Sequence, residues 1–298
     1  MVVKNVAGYD LVRLLTGSWG SLAVLTEMTL RTHPLPAAGA TLVFEFVSPA
    51  ELDAARSRLL AEALPLAALD FAVDTSESTA LWILAVRIEG TEEEVAAEGD
   101  RVCSVVGREP ADAVEDWVSP AHVDAPGGVT LKIAAPSSDI VGAVRGVVAK
   151  LKETGARLAR TPLRIAGHLG AGIARFHIGA TGGEEEEARR ADAAGGIDHG
   201  FAATGQRTAL AAAMEPAATA ERAAFAVPTE RAAFAALWAA TTPDAVIRGR
   251  VIERAPAAIK AEHDVWGTPP ATLALMRALK RRFDPDGVLA PGRFVGGL

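Results

Sequence analysis

Two short stretches of this sequence hold residues whose types and spacing could do chemistry. In Gly17-Ser18-Trp19-Gly20-Ser21, glycines on both sides of a serine let a backbone come close to a phosphate or sugar chain and offer it N–H donors. By spacing alone, a plain turn ahead of a strand reads equally well. The second stretch is Gly167-His168-Leu169-Gly170-Ala171-Gly172-Ile173, a histidine set among glycines. A metal site needs several nitrogen, oxygen or sulfur ligands, and one histidine supplies one, so no metal is expected. His168 reads as a strand-end histidine held by hydrogen bonds, with a substrate contact as the alternative. His122, His177 and His199 have no partner at ligand spacing. The acidic run Glu92-Glu93-Glu94 reads as the first turn of a helix, where the dipole favours negative charge.

Composition narrows the classes. Of 298 residues half are apolar, enough for one large core or two ordinary ones. The net charge of -7, with Lys and Arg scattered along the chain, excludes a basic stripe and with it nucleic acid as a partner. A single cysteine, Cys103, rules out an internal disulfide framework and reads as a small buried hydrophobe. The alanine-rich segments are broken by Arg, Glu, Pro or Thr before any of them could span a bilayer. The N-terminus carries no basic-then-apolar signal pattern. These features predict a soluble, cytoplasmic protein without a transmembrane segment.

The elements that must position these residues follow from periodicity. Leu22 to Arg31 reads as a strand stopped by Pro34 and Pro36. From Ala40 to Gly107 the order is strand (Thr41 to Val47), helix opened by Ser48-Pro49, strands at Ala67 to Val73 and Leu81 to Ile88, then a helix capped by Thr91. A similar order returns with Val129 to Ile133, a helix after Pro136-Ser137-Ser138-Asp139, and strands at Leu163 to Ala166 and Ile173 to Ile178. Two copies of strand, helix, strand, strand predict an α+β sandwich, an antiparallel sheet with helices on one face. Residues 182–228 turn to Glu, Ala, Gly and Arg and read as a flexible or helical connection. Thr229 is placed to cap a helix through Phe234, Leu237 and Trp238, and Thr268-Pro269-Pro270 to open one through Leu273, Leu275, Met276, Leu279 and Phe283. Asp284-Pro285-Asp286-Gly287 ends it in a turn.

Read as whole runs, the two ends of the chain say more. Val3-Lys4-Asn5-Val6-Ala7-Gly8-Tyr9-Asp10-Leu11, continued by Leu15-Thr16-Gly17-Ser18-Trp19-Gly20-Ser21-Leu22-Ala23-Val24, resembles the later part of the flavin-binding domain in FAD-linked oxidases of the vanillyl-alcohol oxidase type. Within them it most resembles the FAD-binding subunits of glycolate oxidase complexes. Arg250 to Pro256, His263 to Gly267 and Leu275 to Phe294 resemble the end of the same subunits. The resemblance implies FAD as cofactor and Asn5, Gly8, Tyr9, Asp10, Gly17, Ser18, Gly20, Ser21 and Val24 as its contacts. Where the wider family has Asn before Pro-Gly, this chain has Ala290. Where catalytic relatives have His-x-Gly-x-Gly-Asn-x-His, Ile173 and Arg175 replace the last Asn and His, so no catalytic base is assigned.

The family pattern thus implies an α+β chain in four parts. Residues 1–37 would be the C-terminal remnant of a PCMH-type FAD-binding domain, 38–181 a ferredoxin-like α+β cap, 182–228 the connection, and 229–298 C-terminal helices and a tail returning to the flavin domain. The function implied is oxidation of a short 2-hydroxy acid with hydride transfer to flavin, beside a larger catalytic flavoprotein subunit and an iron-sulfur subunit. In this family a glycine-rich loop upstream of Lys-Asn-x-x-Gly-Tyr-Asp-Leu cradles the pyrophosphate. That stretch starts close to Met1, so a truncated chain with weak FAD binding or none is expected. The alternative is a non-catalytic assembly subunit that docks partner flavoproteins; a stand-alone D-lactate type dehydrogenase would need the complete histidine motif.

Overall fold

The computed structural model describes residues 10–75, 79–114, 128–153, 163–179 and 227–298. The chain divides into two compact units, Met1–Pro34 with Trp266–Leu298, and Leu35–Val265.

The larger unit is an eight-stranded sheet built from two similar halves. The first half runs β1 (Ala38–Phe46), α2 (Pro49–Ala61), β2 (Leu66–Asp74), β3 (Leu81–Gly90), α3 (Glu92–Val106) and β4 (Asp112–Val114). The second runs β5 (Val129–Ala134), α4 (Ile140–Glu153), β6 (Leu163–His168), β7 (Ile173–Ile178), α5 (Val227–Ala240) and β8 (Gly249–Arg254). The strand order is β4-β1-β3-β2-β6-β7-β5-β8, which reads the same from either end when each strand is exchanged for its counterpart. Each half is a βαββαβ ferredoxin-like unit, and they join edge to edge where β2 pairs antiparallel with β6, Asp70 opposite His168 and Val73 opposite Ile165. The pairing removes two sheet edges that would otherwise be open.

The expected α+β sandwich is present, and alternation explains it. Leu42, Phe44 and Phe46 on β1, Phe71 and Val73 on β2, Leu84 and Val86 on β3, and Leu131, Ile133, Ile165 and Phe176 of the second half are buried in one core with the helices. Helix α4 presents Ile140, Val141, Val144, Val147, Val148 and Leu151 to it, a stripe at helical spacing in which each large side chain contributes up to about 2 kcal/mol. Helix α3 starts on a capping box, Glu94 N–H donating to Thr91 Oγ1 (3.3 Å) and Thr91 N–H to Glu94 Oε2 (2.8 Å). The bond from the Thr91 amide first, then one from the Thr91 hydroxyl to the same Oε2 (3.0 Å), hold the Glu94 carboxyl below its usual range. The far end of α3 is closed by Gly107 in the left-handed region, φ +78°. Cys103 packs against the core, and burial first, then Glu109 and Asp100, push its thiol upward.

Several elements differ from expectation. Two edge strands, β4 and β8, complete the halves; the Arg250, Glu253 and Arg254 side chains had hidden the second behind charge. The tail boundary drawn at residue 229 falls inside α5, which with β8 belongs to the sheet unit. A short helix α6 (Ala257–Glu262) follows.

In the smaller unit, α1 covers Leu11–Leu15 and α7 Leu273–Phe283, before a single turn at Val295–Gly297. Leu22 to Arg31 is not a strand. Among the described residues it has no ladder, because alternating side chains supply a pattern and not the hydrogen-bonded neighbour a strand requires. Helix α7 begins at Leu273, later than Thr268-Pro269-Pro270 suggested, since a residue followed by proline is pushed out of the helical region. Among the described residues of this unit only Ser21, Asp284 and Val295 are buried, so polar bonds, and not an apolar core, must hold it.

Candidate functional site

In the smaller unit Asp10 caps α1: its Oδ1 accepts from the Arg13 amide at 3.1 Å, and the carboxylate also pairs with the Arg13 guanidinium. The helix then breaks into a tight loop. Ser18 N–H donates to Leu15 O (3.1 Å) and Ser21 N–H to Ser18 O (3.0 Å), with Gly17, Trp19 and Gly20 at φ +79°, +53° and +75°. A Cβ placed on Gly17 or Gly20 would meet nothing within 4 Å. These glycines therefore serve the backbone conformation, and the space in front of them is open. Trp19 holds the same region without that freedom, a strained position for a bulky residue. Among the described residues the Trp19 and Gly20 amides have no backbone partner, which leaves two donors for an anion or a ribityl chain.

Ser21 is buried, and its hydroxyl donates to Ser18 O at 2.7 Å. Its carbonyl accepts from Lys280 Nζ at 2.8 Å. The same ammonium donates to Leu289 O (2.6 Å) and to Asp284 Oδ2 (2.5 Å), and the Asp284 carboxylate accepts from the Val288 and Leu289 amides at 3.0 and 2.9 Å. The Lys280 bond above all, then these amides, holds the Asp284 carboxyl below its ordinary range against the opposing effect of burial. Trp19 meets Trp266 edge-on (5.5 Å, 81°), and Trp266 meets Phe294 in the same manner (5.2 Å, 72°). Residues from the two ends of the chain thus converge behind the Gly17–Ser21 loop. Sequence reasoning took Asp284-Pro285-Asp286-Gly287 only as a helix stop; the acid one helical turn after Lys280 was the available signal for the knot.

Of the predicted flavin contacts, Gly17, Ser18, Gly20 and Ser21 form one loop and Val24 follows it, exposed, while Asp10 lies at the start of α1. Asn5, Gly8 and Tyr9, with His122 and His199, fall outside the described residues.

In the larger unit, the sheet face opposite the helices carries a second group. His168 ends β6 and its Nδ1 lies 2.5 Å from Asp70 Oδ1, the hydrogen-bonded strand-end histidine that was expected. Glu253 on β8 bridges Arg175 Nε and Lys132 Nζ, each at 2.8 Å. Burial raises the Glu253 carboxyl, but the hydrogen bonds from Arg175 and Lys132 together outweigh it and leave the group below its usual value. His177 is buried with Nδ1 3.0 Å from Thr130 Oγ1. Sequence reasoning missed Asp70, an acid inside the apolar run Leu69-Asp70-Phe71-Ala72. Among the described residues no helix is long and apolar enough to cross a membrane.

Comparison with known proteins bears on the smaller unit first. Residues 266–294 match the model of the C-terminal domain of FAD linked oxidases, the segment that supplies Trp266, Lys280, Asp284 and Phe294. Glycolate oxidase subunit GlcE of Escherichia coli is 41% identical over 96 residues, 32% of this chain and 25% of that protein. Over these segments the chain is similar to FAD-linked oxidases. The mitochondrial D-lactate dehydrogenase [cytochrome] of Arabidopsis thaliana is 48% identical over 52 residues, 17% of this chain and 9% of that one. Among solved structures, a VAO-type flavoprotein of Myceliophthora thermophila aligns with TM-score 0.41 at 14% identity (91% of this chain, 49% of that one). The 6-hydroxy-D-nicotine oxidase of Arthrobacter nicotinovorans aligns with TM-score 0.44 at 15% identity (91% and 57%). The alignments to the curated relatives span a quarter or less of those proteins' lengths.

The FAD-linked oxidase resemblance gives Ala290 a physical reading. This residue stands at φ +42°, in the left-handed region that asparagine, the family's residue there, tolerates and alanine does not. Ala290→Asn is expected to raise stability by about 0.5–1 kcal/mol, measured by urea unfolding; a loss of stability would show that the strain is not at this residue.

Proposed function

We propose that this chain is a subunit of an FAD-linked oxidase that takes a short 2-hydroxy acid to the 2-oxo acid. The observation that carries the reading is the open Gly17–Ser21 loop, with two available amides, tied by Lys280 to the tail segment that matches the family. The residues fit a flavin nucleotide. The Trp19 and Gly20 amides are placed as donors, glycine keeps the approach open, and exposed Val24 offers an apolar contact. Bound FAD supplies the hydride acceptor. In this chain Gly17, Ser18, Gly20 and Val24 are the contact positions, Ser21 braces the loop, and Asp10 orders α1 ahead of it; Asn5, Gly8 and Tyr9 complete the family's set.

The hold on FAD by this chain alone is weak, because the loop presents few donors and the unit around it buries almost no apolar side chain. A larger catalytic flavoprotein subunit and an iron-sulfur subunit are the partners the reading implies, in a cytoplasmic complex. A second reading, an assembly subunit without turnover of its own, is favoured by the exposed Val24, Leu25, Met28 and Leu30, an apolar segment suited to docking.

Titrating the full chain with FAD and following the visible flavin band and tryptophan fluorescence tests the first reading. Saturable binding is expected, with Gly20→Val, which places a branched side chain at φ +75°, about tenfold weaker. If the flavin spectrum never responds, with or without a flavoprotein partner, the FAD reading fails. Capture of the partner without such a response supports the second reading.

A further inference from the structure

Trp19 is set where its residue type is disfavoured. Ser21 N–H donates to Ser18 O at 3.0 Å, and the two residues between them stand at φ +53° and +75°, the signature of a type I′ turn, whose first central position suits Asn, Asp or Gly. A tryptophan held there is strained. Burial does not offset the strain, because Trp19 is 56% exposed. Its ring is nevertheless braced. Trp266 meets it edge-on at 5.5 Å, and Trp266 is itself held by Phe294 at 5.2 Å and by its indole N–H, which donates to Arg293 O at 3.2 Å. An edge-on contact takes at most one face of the Trp19 ring. On either side of it, the space before Gly17 and Gly20 is open. A strained, braced and half-uncovered indole beside two donor amides serves a ligand more than it serves the fold.

We propose that the Trp19 indole is a stacking platform for a heteroaromatic ring of the nucleotide whose phosphate the Trp19 and Gly20 amides receive. The amide and the indole are one side chain apart, as a nucleotide's phosphate and its ring are one sugar or ribityl chain apart. The nucleotide's identity as a flavin rests on the function proposed above; the exposed ring face does not. Adenine and isoalloxazine share the planar chemistry that such a face recognises, and stacking on an indole tolerates either.

The test uses the full chain with FAD, FMN and ADP. In the unmodified chain, nuclear Overhauser effects are expected from the Trp19 indole protons to ring protons of the bound ligand. A signal with both FAD and FMN identifies the isoalloxazine as the stacked ring, and one with both FAD and ADP the adenine. Trp19→Phe keeps a flat face and is expected to bind FAD within about threefold of the unmodified chain, whereas Trp19→Leu keeps apolar bulk at the same strained position and is expected to bind about tenfold more weakly. Equal affinities for Trp19→Phe and Trp19→Leu, or bound ligand with no Overhauser contact between Trp19 and its ring, overturn the proposal, and the second measurement needs no variant to fold. FAD bound away from Trp19 sinks this inference and leaves the flavin reading standing. ADP stacked on Trp19 with no response to FAD does the reverse, and no response to any of the three sinks both.

Discussion

Gly172→Ala is expected to destabilise the sheet unit by about 3 kcal/mol or more, while Gly170→Ala, two residues earlier, changes it by less than about 0.5 kcal/mol. Gly172 combines two demands. Its φ is +64°, and a Cβ there would lie 2.0 Å from the Ala135 carbonyl oxygen and 3.2 Å from the Ser137 amide nitrogen. Those atoms are backbone, and they cannot swing aside. Ala135 N–H donates to Gly172 O at 2.9 Å, so the β6–β7 turn is locked onto the chain just before α4. At Gly170 a Cβ meets nothing within 4 Å. Gly167→Ala falls with the first kind: its Cβ would lie 2.1 Å from Ile173 O and 2.6 Å from a ring carbon of Phe71, at an expected cost of about 2–3 kcal/mol. Urea unfolding of the three variants checks the ranking, and equal costs at 170 and 172 would defeat it.

That contrast alters the meaning of the glycine-histidine motif. Its glycines look like a ligand loop in sequence, yet two of the three are required by packing, Gly167 beneath Phe71 and Gly172 against Ala135. His168 itself is held by Asp70, which lies 98 residues away in sequence. No local pattern announces such a partner, because the β2–β6 pairing that joins the two halves brings it there. The halves themselves were legible, since periods of two and of 3.6 residues expose their faces directly. The edges were not. β4 is three residues long, and β8 carries charge that is satisfied only once Lys132 and Arg175 are beside Glu253.

The smaller unit shows the opposite balance, with residues that were easy to recognise in elements that were hard to place. Gly17, Ser18, Gly20 and Ser21 stood out by type and spacing. The strand expected after them did not form because strand formation depends on a neighbour, whereas a loop built on positive φ and local hydrogen bonds depends mainly on its own residues. What holds that loop to the tail is one ammonium, and its removal should be felt at both places.

Lys280→Met keeps the length of the side chain and removes its donors to Ser21 O, Leu289 O and Asp284. Charge-assisted bonds to partly buried acceptors contribute more than neutral ones. The local opening of the tail turn is therefore expected to become easier by about 2–3 kcal/mol, read as faster hydrogen exchange at the Val288 and Leu289 amides. The pH dependence has a definite sign. In the unmodified chain the Asp284 carboxyl lies below its unfolded value, so its contribution is complete above that unfolded value and is lost as pH falls through the folded one. Without Lys280 the largest cause of the depression is gone, and burial opposes the two remaining amide bonds. Acid opening of the turn should then begin at higher pH in Lys280→Met than in the unmodified chain. Trp19 and Trp266, in edge contact beside the loop, provide a fluorescence signal for the same transition. Unchanged protection at Leu289 together with an unshifted acid transition would mean that the tail is held by the aromatic contacts instead, and Trp266→Ala would then be the variant that releases it.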